Sequence, residues 1–133
     1  MKYKGFRDLT VWRLSSELAK DISVHLVPLF PKREQNRLGD QIIRSSRSVP
    51  SQIAEGFRKL SLKEKNHYYD IASTSNDETE NHLIEAKNNQ FIDERTYSEY
   101  YRRIITIRIL LTRLMKSIRN LNSRLNPKKP FTK

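Results

Sequence analysis

A heptad stripe in the last third of the chain limits the available folds more than any other feature. From Tyr97 to Leu125, apolar residues recur at alternating steps of three and four. This spacing puts them on one face of a helix that packs lengthwise in a bundle or coiled coil. Asp93 suits the start of such a helix, and the Asn126-Pro127 pair suits its end. The stripe consists of Tyr97, Tyr100, Ile104, Ile107, Leu111, Leu114, Ile118, Leu121 and Leu125.

Three earlier segments also show helical spacing, and no stretch shows the strict alternation that is typical of a strand. Short connections between helices of similar length favour antiparallel neighbours. The sequence therefore predicts an all-α fold, an antiparallel up-down-up-down four-helix bundle. It forms one domain over residues 1–125, and residues 126–133 form a basic flexible tail. The predicted helices cover residues 8–27, 37–58, 62–90 and 94–125.

The second predicted helix contains Pro50, whose ring would press on the carbonyl of Ser46. We expect one helix kinked at Pro50, with nearby serines bonding back to freed carbonyls. Small residues such as Gly56 would let a neighbouring helix approach closely. The predicted inner faces are Leu38, Ile42, Ser45, Val49, Ile53 and Gly56 on the second helix, and Tyr68, Ile71, Ser75, Glu78, His82 and Ala86 on the third.

Composition argues against most kinds of catalysis. The chain has no cysteine, which excludes disulfides, thiol nucleophiles and Cys-type zinc sites. Its three glycines form no phosphate-binding loop, and no Gly-x-Ser-x-Gly motif occurs. We therefore predict a protein that is not an enzyme. No run of apolar residues is long enough for a membrane helix, so the predicted location is the cytoplasm.

Metal binding is the chemistry that a four-helix bundle most often suggests. A di-iron site needs two Glu-x-x-His pairs, and only Glu64 and His67 form one here. Glu78 and His82, one turn apart, are too few ligands for a metal ion. We therefore predict no metal and no cofactor. Arg44 near the inner face and Glu78 across the bundle are predicted to form a structural polar pair, since a buried charge needs a partner.

Charge is segregated along the chain, whose net charge is +11. Residues 66–95 carry 2 basic and 7 acidic side chains, and residues 96–133 carry 10 and 1. Such a balance favours polyanionic partners, although it also serves solubility alone. We interpret Asp77, Glu80 and Glu85 as a solvated or intersubunit acidic face. The candidate nucleic-acid-binding residues are Arg47, Arg58, Lys59, Arg102, Arg103, Arg108, Arg113, Lys116, Arg119 and Arg124.

These basic residues flank the apolar stripe of the last helix on both sides instead of forming one ridge. That arrangement predicts contacts with phosphates and weak sequence specificity. Tyr97, Tyr100 and Tyr101 either stack on unpaired bases or pack at the end of the bundle.

The run from Ser48 to Gly56, SVPSQIAEG, preceded by Gln41 and Arg44, resembles the signature of a known family. That family comprises bacterial four-helix-bundle proteins encoded by intervening sequences of 23S rRNA genes. The resemblance covers about residues 3–122, with Gln52 where the family usually has Asn and His82 where Gln is common. Further similar positions are Tyr3 to Leu9 with Val11 and Trp12, and Ile71, Ala72, Ser75, Glu78, Glu80, Leu83 and Ala86.

The resemblance implies a left-handed antiparallel bundle that assembles as a homopentamer around a central channel and has no catalytic activity. A similar protein accompanies the reverse transcriptase of diversity-generating retroelements. Our first hypothesis is therefore a homo-oligomer that binds RNA or DNA, such as rRNA or a ribonucleoprotein. The alternative is a protein-protein interaction scaffold or accessory subunit that does not bind nucleic acid itself.

Overall fold

The computed structural model describes residues 3–128, so residues 129–133 of the predicted tail lie outside the described part. Four long helices and one short helix make up most of it, and no strand occurs between residues 3 and 128. The predicted all-α class with four long helical segments is therefore confirmed. The helices are α1 (Thr10–Asp21), α2 (Lys32–Gln35), α3 (Leu38–Arg58), α4 (Leu62–Asn88) and α5 (Glu94–Leu125).

The first helical segment changes geometry along its length. After α1 the chain continues as a π-helical turn, Ile22–Leu26, and then as a 3-10 turn, Val27–Leu29, that contains Pro28. The prediction for this segment was one helix over residues 8–27. Ile22 and Leu26 are both fully buried, so the wider π turn keeps its apolar residues in the core.

Each long helix packs against two others, because α1 and α4 both contact α3 and α5. Where α3 and α4 touch, Ser45 lies 2.8 Å from Thr79 and Ser48 lies 2.9 Å from Ser75, measured between hydroxyl oxygens. The residue number rises along α3 as it falls along α4, so this pair is antiparallel. The complete up-down-up-down order stays a prediction.

The same reversal relates α4 and α5. The side-chain amide of Asn66 donates to the carbonyl of Met115 at 2.9 Å, and that of Asn76 donates to the carbonyl of Ile104 at 3.0 Å. These contacts place the start of α4 beside the second half of α5.

The predicted inner face of α3 is confirmed, since all six of its residues are buried. Pro50 lies inside α3, which is helical on both sides of it; the kink itself stays a prediction. The hydroxyls of Ser45 and Ser46 bond back to carbonyls three residues earlier. A Cβ on Gly56 would lie 2.8 Å from the Tyr69 ring, so the close approach expected there is present.

The predicted inner face of α4 is confirmed for Ser75, His82 and Ala86, and it is wrong by one position for the other three residues. Glu78 is exposed, and Tyr68 and Ile71 are only partly buried. Polar side chains that bond within the bundle occupy much of the true inner face, so the apolar pattern is weak there. The buried residues of α4 are Asn66, Tyr69, Ala72, Ser75, Asn76, Thr79, His82, Leu83 and Ala86.

Local signals fix the ends of α4 and α5. The Ser61 hydroxyl accepts from the amide of Glu64 at 3.0 Å, the expected N-cap bond. Asp93 caps α5 in the same way, and its bonds with Thr96 hold the pKa of the Asp93 carboxyl below its usual value. At the end of α4, Gln90 has φ 62° and forms the left-handed residue of a Schellman turn, in which Phe91 donates to the carbonyl of Ala86.

The heptad stripe of α5 is buried only along part of its length. Tyr100, Ile104, Ile107 and Leu111 lie in the core. The four stripe residues that follow are partly buried or exposed, and the side chain of Leu125 is 65% exposed. Leu114 and Ile118 still pack against the core, so the single chain covers the last third of the stripe only in part and leaves Leu125 largely uncovered.

Candidate nucleic-acid interface

One end of the bundle brings together two basic segments that are far apart in sequence. Residues 56–66, at the α3–α4 turn, and residues 112–128, at the end of α5, together contain nine basic residues and one acidic residue, Glu64. The bond from Asn66 to the Met115 carbonyl joins them directly. We call seven of these cations the basic end: Arg58, Lys59, Lys63, Arg113, Lys116, Arg119 and Arg124.

Six of these seven residues are exposed, and Lys59 is partly buried. Arg113, Lys116 and Arg124 line one shallow surface cavity of about 690 Å³ on α5, with three uncharged polar residues between them. The expectation that the α5 cations lack a common ridge is therefore wrong for these three, because steps of three and eight residues return to the same helix face. The polar residues are Ser117, Asn120 and Ser123.

The α3–α4 turn contributes cations and one apolar side chain. Lys59 lies 3.3 Å from Glu55 and its ammonium lies over the Tyr68 ring, so part of its charge is used within the chain. Lys63, which the sequence analysis missed, is exposed in the first turn of α4. Leu60, between the two lysines, is 97% exposed.

Lys65 belongs to the same segment but serves the fold. Its ammonium donates to the carbonyl of Phe57 at 2.6 Å and lies 5.4 Å from the centre of the Phe57 ring. Burial lowers the pKa of the Lys65 ammonium below its usual value. We therefore leave Lys65 out of the basic end.

Two predicted binding residues on α5 form ion pairs with carboxylates of the same chain. Arg103 lies 2.9 Å from Asp21 at the end of α1. Arg108 bridges to α4, where it bonds to Glu80 and, at 3.1 Å, to Asp77. The interpretation as a solvated or intersubunit face is therefore wrong for Glu80, which is largely covered and bonds to Arg108 because α4 and α5 pack antiparallel. Asp77 also contacts Arg108 but stays exposed, as expected.

Two other predicted residues lie away from the basic end. Arg47 lines a surface cavity of about 320 Å³ between α1 and α3, beside Lys20 and Pro50. Arg102 is exposed near the start of α5, about 16 Å along the helix from Arg113 at 1.5 Å per residue.

Arg44 and Glu78 line one cavity of about 660 Å³ between α3 and α4, but no ion pair joins them in the described chain. Arg44 is exposed, and the carboxylate of Glu78 lies 3.6 Å from His82 instead. The predicted structural pair is therefore wrong in this structure. Both side chains reach water, so neither charge needs the other to avoid an unpaired buried state.

The tyrosines near the start of α5 already contact protein groups. Tyr97 and Tyr101 stack with ring centres 5.5 Å apart, and Lys87 lies 4.5 Å from the centre of the Tyr97 ring. Tyr100 is buried beside Arg103. Of the two alternatives from the sequence, packing at the end of the bundle is the one observed.

Residues 3–128 contain neither a metal-binding cluster nor a membrane-spanning helix. No group of three His, Asp or Glu side chains in that range is placed to hold a metal ion. Each helix in that range is too short or too polar to cross a membrane.

A comparison with known protein families shows which family this chain belongs to. Residues 7–113 match the family described as 23S rRNA-intervening sequence protein. The chain belongs to this family. No curated protein matches the chain significantly.

The 23S rRNA-intervening sequence protein match has a consequence for the basic end. It includes α1 to α4 and the buried part of α5, and hence Arg58, Lys59 and Lys63. It stops at residue 113, so Lys116, Arg119 and Arg124 lie beyond it. Membership of the family therefore supports the bundle, whereas the α5 part of the basic end must be argued from this chain alone.

Proposed function

We propose that this protein is a non-enzymatic, homo-oligomeric helical bundle that binds RNA or DNA through its basic end. The observation that carries the proposal is the junction of the two basic segments across the Asn66 to Met115 contact, where the seven cations of the basic end lie with one carboxylate, Glu64. A surface with this balance raises the local concentration of phosphates and binds them with release of counterions.

The chemistry of the surface supports weak sequence specificity. Its side chains are chiefly those that contact phosphate and sugar, namely arginine, lysine, serine and asparagine. The family name refers to 23S rRNA, which makes rRNA or a ribonucleoprotein the first ligand to test. A reverse transcriptase is a further candidate partner by resemblance. The proposed ligands imply a cytoplasmic location, and the proposal involves no cofactor and no metal.

The partly covered end of the α5 stripe supports the homo-oligomer. Leu114, Ile118 and Leu121 are partly buried, and Leu125 is largely exposed, although their spacing is that of a packed helix. We propose that a second copy of the chain packs against this part of α5. The resemblance implies that the assembly is a pentamer. Light scattering on the purified protein measures the stoichiometry.

The binding proposal is tested by fluorescence anisotropy with labelled RNA and DNA at stepped salt. We expect micromolar affinity at about 50 mM salt that falls steeply toward about 200 mM. The combined variant Arg113→Gln, Lys116→Gln and Arg124→Gln should reduce the salt slope by about 2.7, since each lost phosphate contact removes about 0.9.

A matched control removes three charges at the other end of the bundle. Lys32, Arg33 and Arg37 lie in or next to α2, which follows the Phe30 contact with Phe91 at the α4–α5 turn. Their combined change to Gln should leave the salt slope nearly unchanged. Absence of binding at low salt, or equal losses in the two triple variants, contradicts binding at the basic end.

The interaction scaffold remains the second candidate, supported by exposed carboxylates on α4. Charge reversal at Glu85, which is exposed, should then dissolve the oligomer while nucleic acid has no effect. Glu80 is unsuitable for this test because its contact with Arg108 lies within one chain. Loss of the oligomer on Glu85→Lys, together with no nucleic-acid binding, would favour the scaffold.

A further inference from the structure

We infer that the ligand of the basic end is a nucleic-acid duplex held by its phosphates, and not a single strand. This inference rests on the proposed function and names the ligand class of the same site. It follows from the cations of the basic end and from the way its aromatic neighbours are already covered.

The basic end contains cations along a helix that extends beyond its partners. Arg113 and Arg124 lie about 16 Å apart along the α5 axis at 1.5 Å rise per residue. A duplex presents one negative charge per about 1.7 Å of its axis, counting both strands, so a surface of this length meets many phosphates. Ser117, Asn120 and Ser123 lie between the cations and suit hydrogen bonds to phosphate and sugar oxygens.

The aromatic side chains next to the basic end are not free to stack on unpaired bases. Phe57 and Tyr68 are both partly buried, and the ammonium groups of Lys65 and Lys59 lie 5.4 Å and 5.1 Å from the centres of their rings. The imidazole of His67 packs edge-on against the Tyr68 ring. On α5, no Phe, Tyr or Trp occurs between residues 102 and 130. Nonspecific binding of single strands depends on stacking on aromatic rings, which contributes about 1–3 kcal/mol per base. A duplex keeps its bases stacked on each other and needs no such ring.

The tyrosines of α5 are not available either. Tyr101 precedes Arg113 by 12 residues, or about 18 Å along the helix. Its ring stacks on Tyr97, whose other contact is the Lys87 ammonium. These rings therefore lie away from the basic end and already have partners.

The most exposed apolar side chain at the basic end is aliphatic. Leu60 is 97% exposed in the turn between Lys59 and Lys63. Exposed leucines beside cations are among the side chains that proteins place against the minor groove of a duplex. An aliphatic side chain offers no flat face to an unpaired base.

The inference is tested by anisotropy with a 20-nucleotide single strand of a sequence that does not self-pair and with its duplex, each as RNA and as DNA. With about four phosphate contacts, the salt slope should be about −3.6 for a duplex and about −2.8 for a single strand. We expect at least about fivefold tighter duplex binding at about 50 mM salt. Preference for either the RNA or the DNA duplex supports the inference and identifies the source of the duplex.

Equal or tighter binding of the single strands overturns the inference but leaves the proposed function intact. Failure of every probe to bind at low salt overturns the proposed function itself. The variant Phe131→Ala controls for stacking by the next aromatic residue along the chain, which lies outside the described residues. A selective loss of single-strand binding in that variant would also count against the duplex.

Discussion

The side-chain amide of Asn76 on α4 donates a hydrogen bond of 3.0 Å to the backbone carbonyl of Ile104 on α5, and both residues are buried. Asn66 makes the equivalent bond to Met115, about 2.5 to 3 helix turns away. The side-chain oxygens of both asparagines have no partner in the described chain. These two side-chain hydrogen bonds therefore fix the register of α4 against α5.

Two replacements of Asn76 should separate the contribution of its hydrogen bond to stability from the contribution of its packing. Asn76→Asp puts a carboxylate opposite the Ile104 carbonyl and should cost about 2–4 kcal/mol of unfolding free energy. Asn76→Leu should cost about 1 kcal/mol or less, because it also removes the unpartnered oxygen, and the carbonyl keeps its bond within α5. Urea unfolding measures both. Asn81→Asp, exposed on the same helix, should be nearly neutral.

A methyl group at Gly56 should destabilise the α3–α4 contact. Its Cβ would lie 2.8 Å from the Tyr69 ring and 3.1 Å from the Lys65 carbonyl, and a backbone atom cannot easily move away. Overpacking costs about 1–3 kcal/mol, against about 1 kcal/mol gained in helix propensity, so Gly56→Ala should lose about 1 kcal/mol. Gly5→Ala, with nothing within 4 Å, is the control. If the Gly56→Ala variant is more stable than the wild type, the Tyr69 ring must move aside to make room for the new methyl group.

Gln90 is a site where one substitution should stabilise the protein. Its φ of 62° is the left-handed conformation that side chains disfavour. Gln90→Gly should raise the unfolding free energy by about 0.5–1 kcal/mol, after the entropy cost of glycine in the unfolded chain. Asn89 has a φ of −93°, which is not left-handed, so Asn89→Gly should lower the unfolding free energy. Thermal unfolding of the two variants decides, and a loss of stability in both would contradict the Schellman turn.

The contact of Arg108 with Glu80 should show measurable coupling. Both side chains are partly exposed, so a double-mutant cycle with Arg108→Met and Glu80→Gln should give about 0.5–1 kcal/mol, decreasing with salt. The cycle for Lys59 and Glu55, one turn apart on the surface of α3, should give at most about 0.5 kcal/mol. Equal coupling in the two cycles would argue that Arg108 is not held between its two carboxylates.

Tyr69 should make the protein sensitive to alkaline pH. Burial raises the pKa of its phenol to about 12 from an ordinary 10.0. Between these values the unfolded chain has released the proton while the folded chain retains it, so stability should fall as pH rises from about 10 to 12. Burial also raises the pKa of Tyr100, so ultraviolet titration should show a late rise in phenolate that Tyr69→Phe reduces and does not abolish. If the wild type lacks that late rise, Tyr69 ionises freely.

The helices that bury apolar residues were predictable from sequence, and the one that buries polar residues was not. Ile42, Val49 and Ile53 lie in the core of α3 as their spacing predicts. On α4, Asn66 and Asn76 are buried because α5 offers carbonyls at those two heights. The carbonyl that accepts from a buried asparagine can be identified only once the register between the two helices is known.

The same limit applies to the candidate site. Sequence identified Arg113 and Lys116 as binding candidates, but it could not show that Lys63 lies at the same end. It also could not show that Arg108 is paired, because Asp77 and Glu80 are about 30 residues away and meet it only through the packing of α4 on α5. Charge counts along a chain therefore indicate an interface without separating its free cations from its paired ones.

Leu60 has a practical consequence for experiments on this protein. The chain contains no cysteine, so Leu60→Cys would introduce a single thiol, at a side chain that is 97% exposed in the isolated chain. A dye or spin label attached there would report from the α3–α4 turn without background labelling. Quenching or immobilisation of that label would reveal directly whether nucleic acid or another subunit covers this end of the bundle.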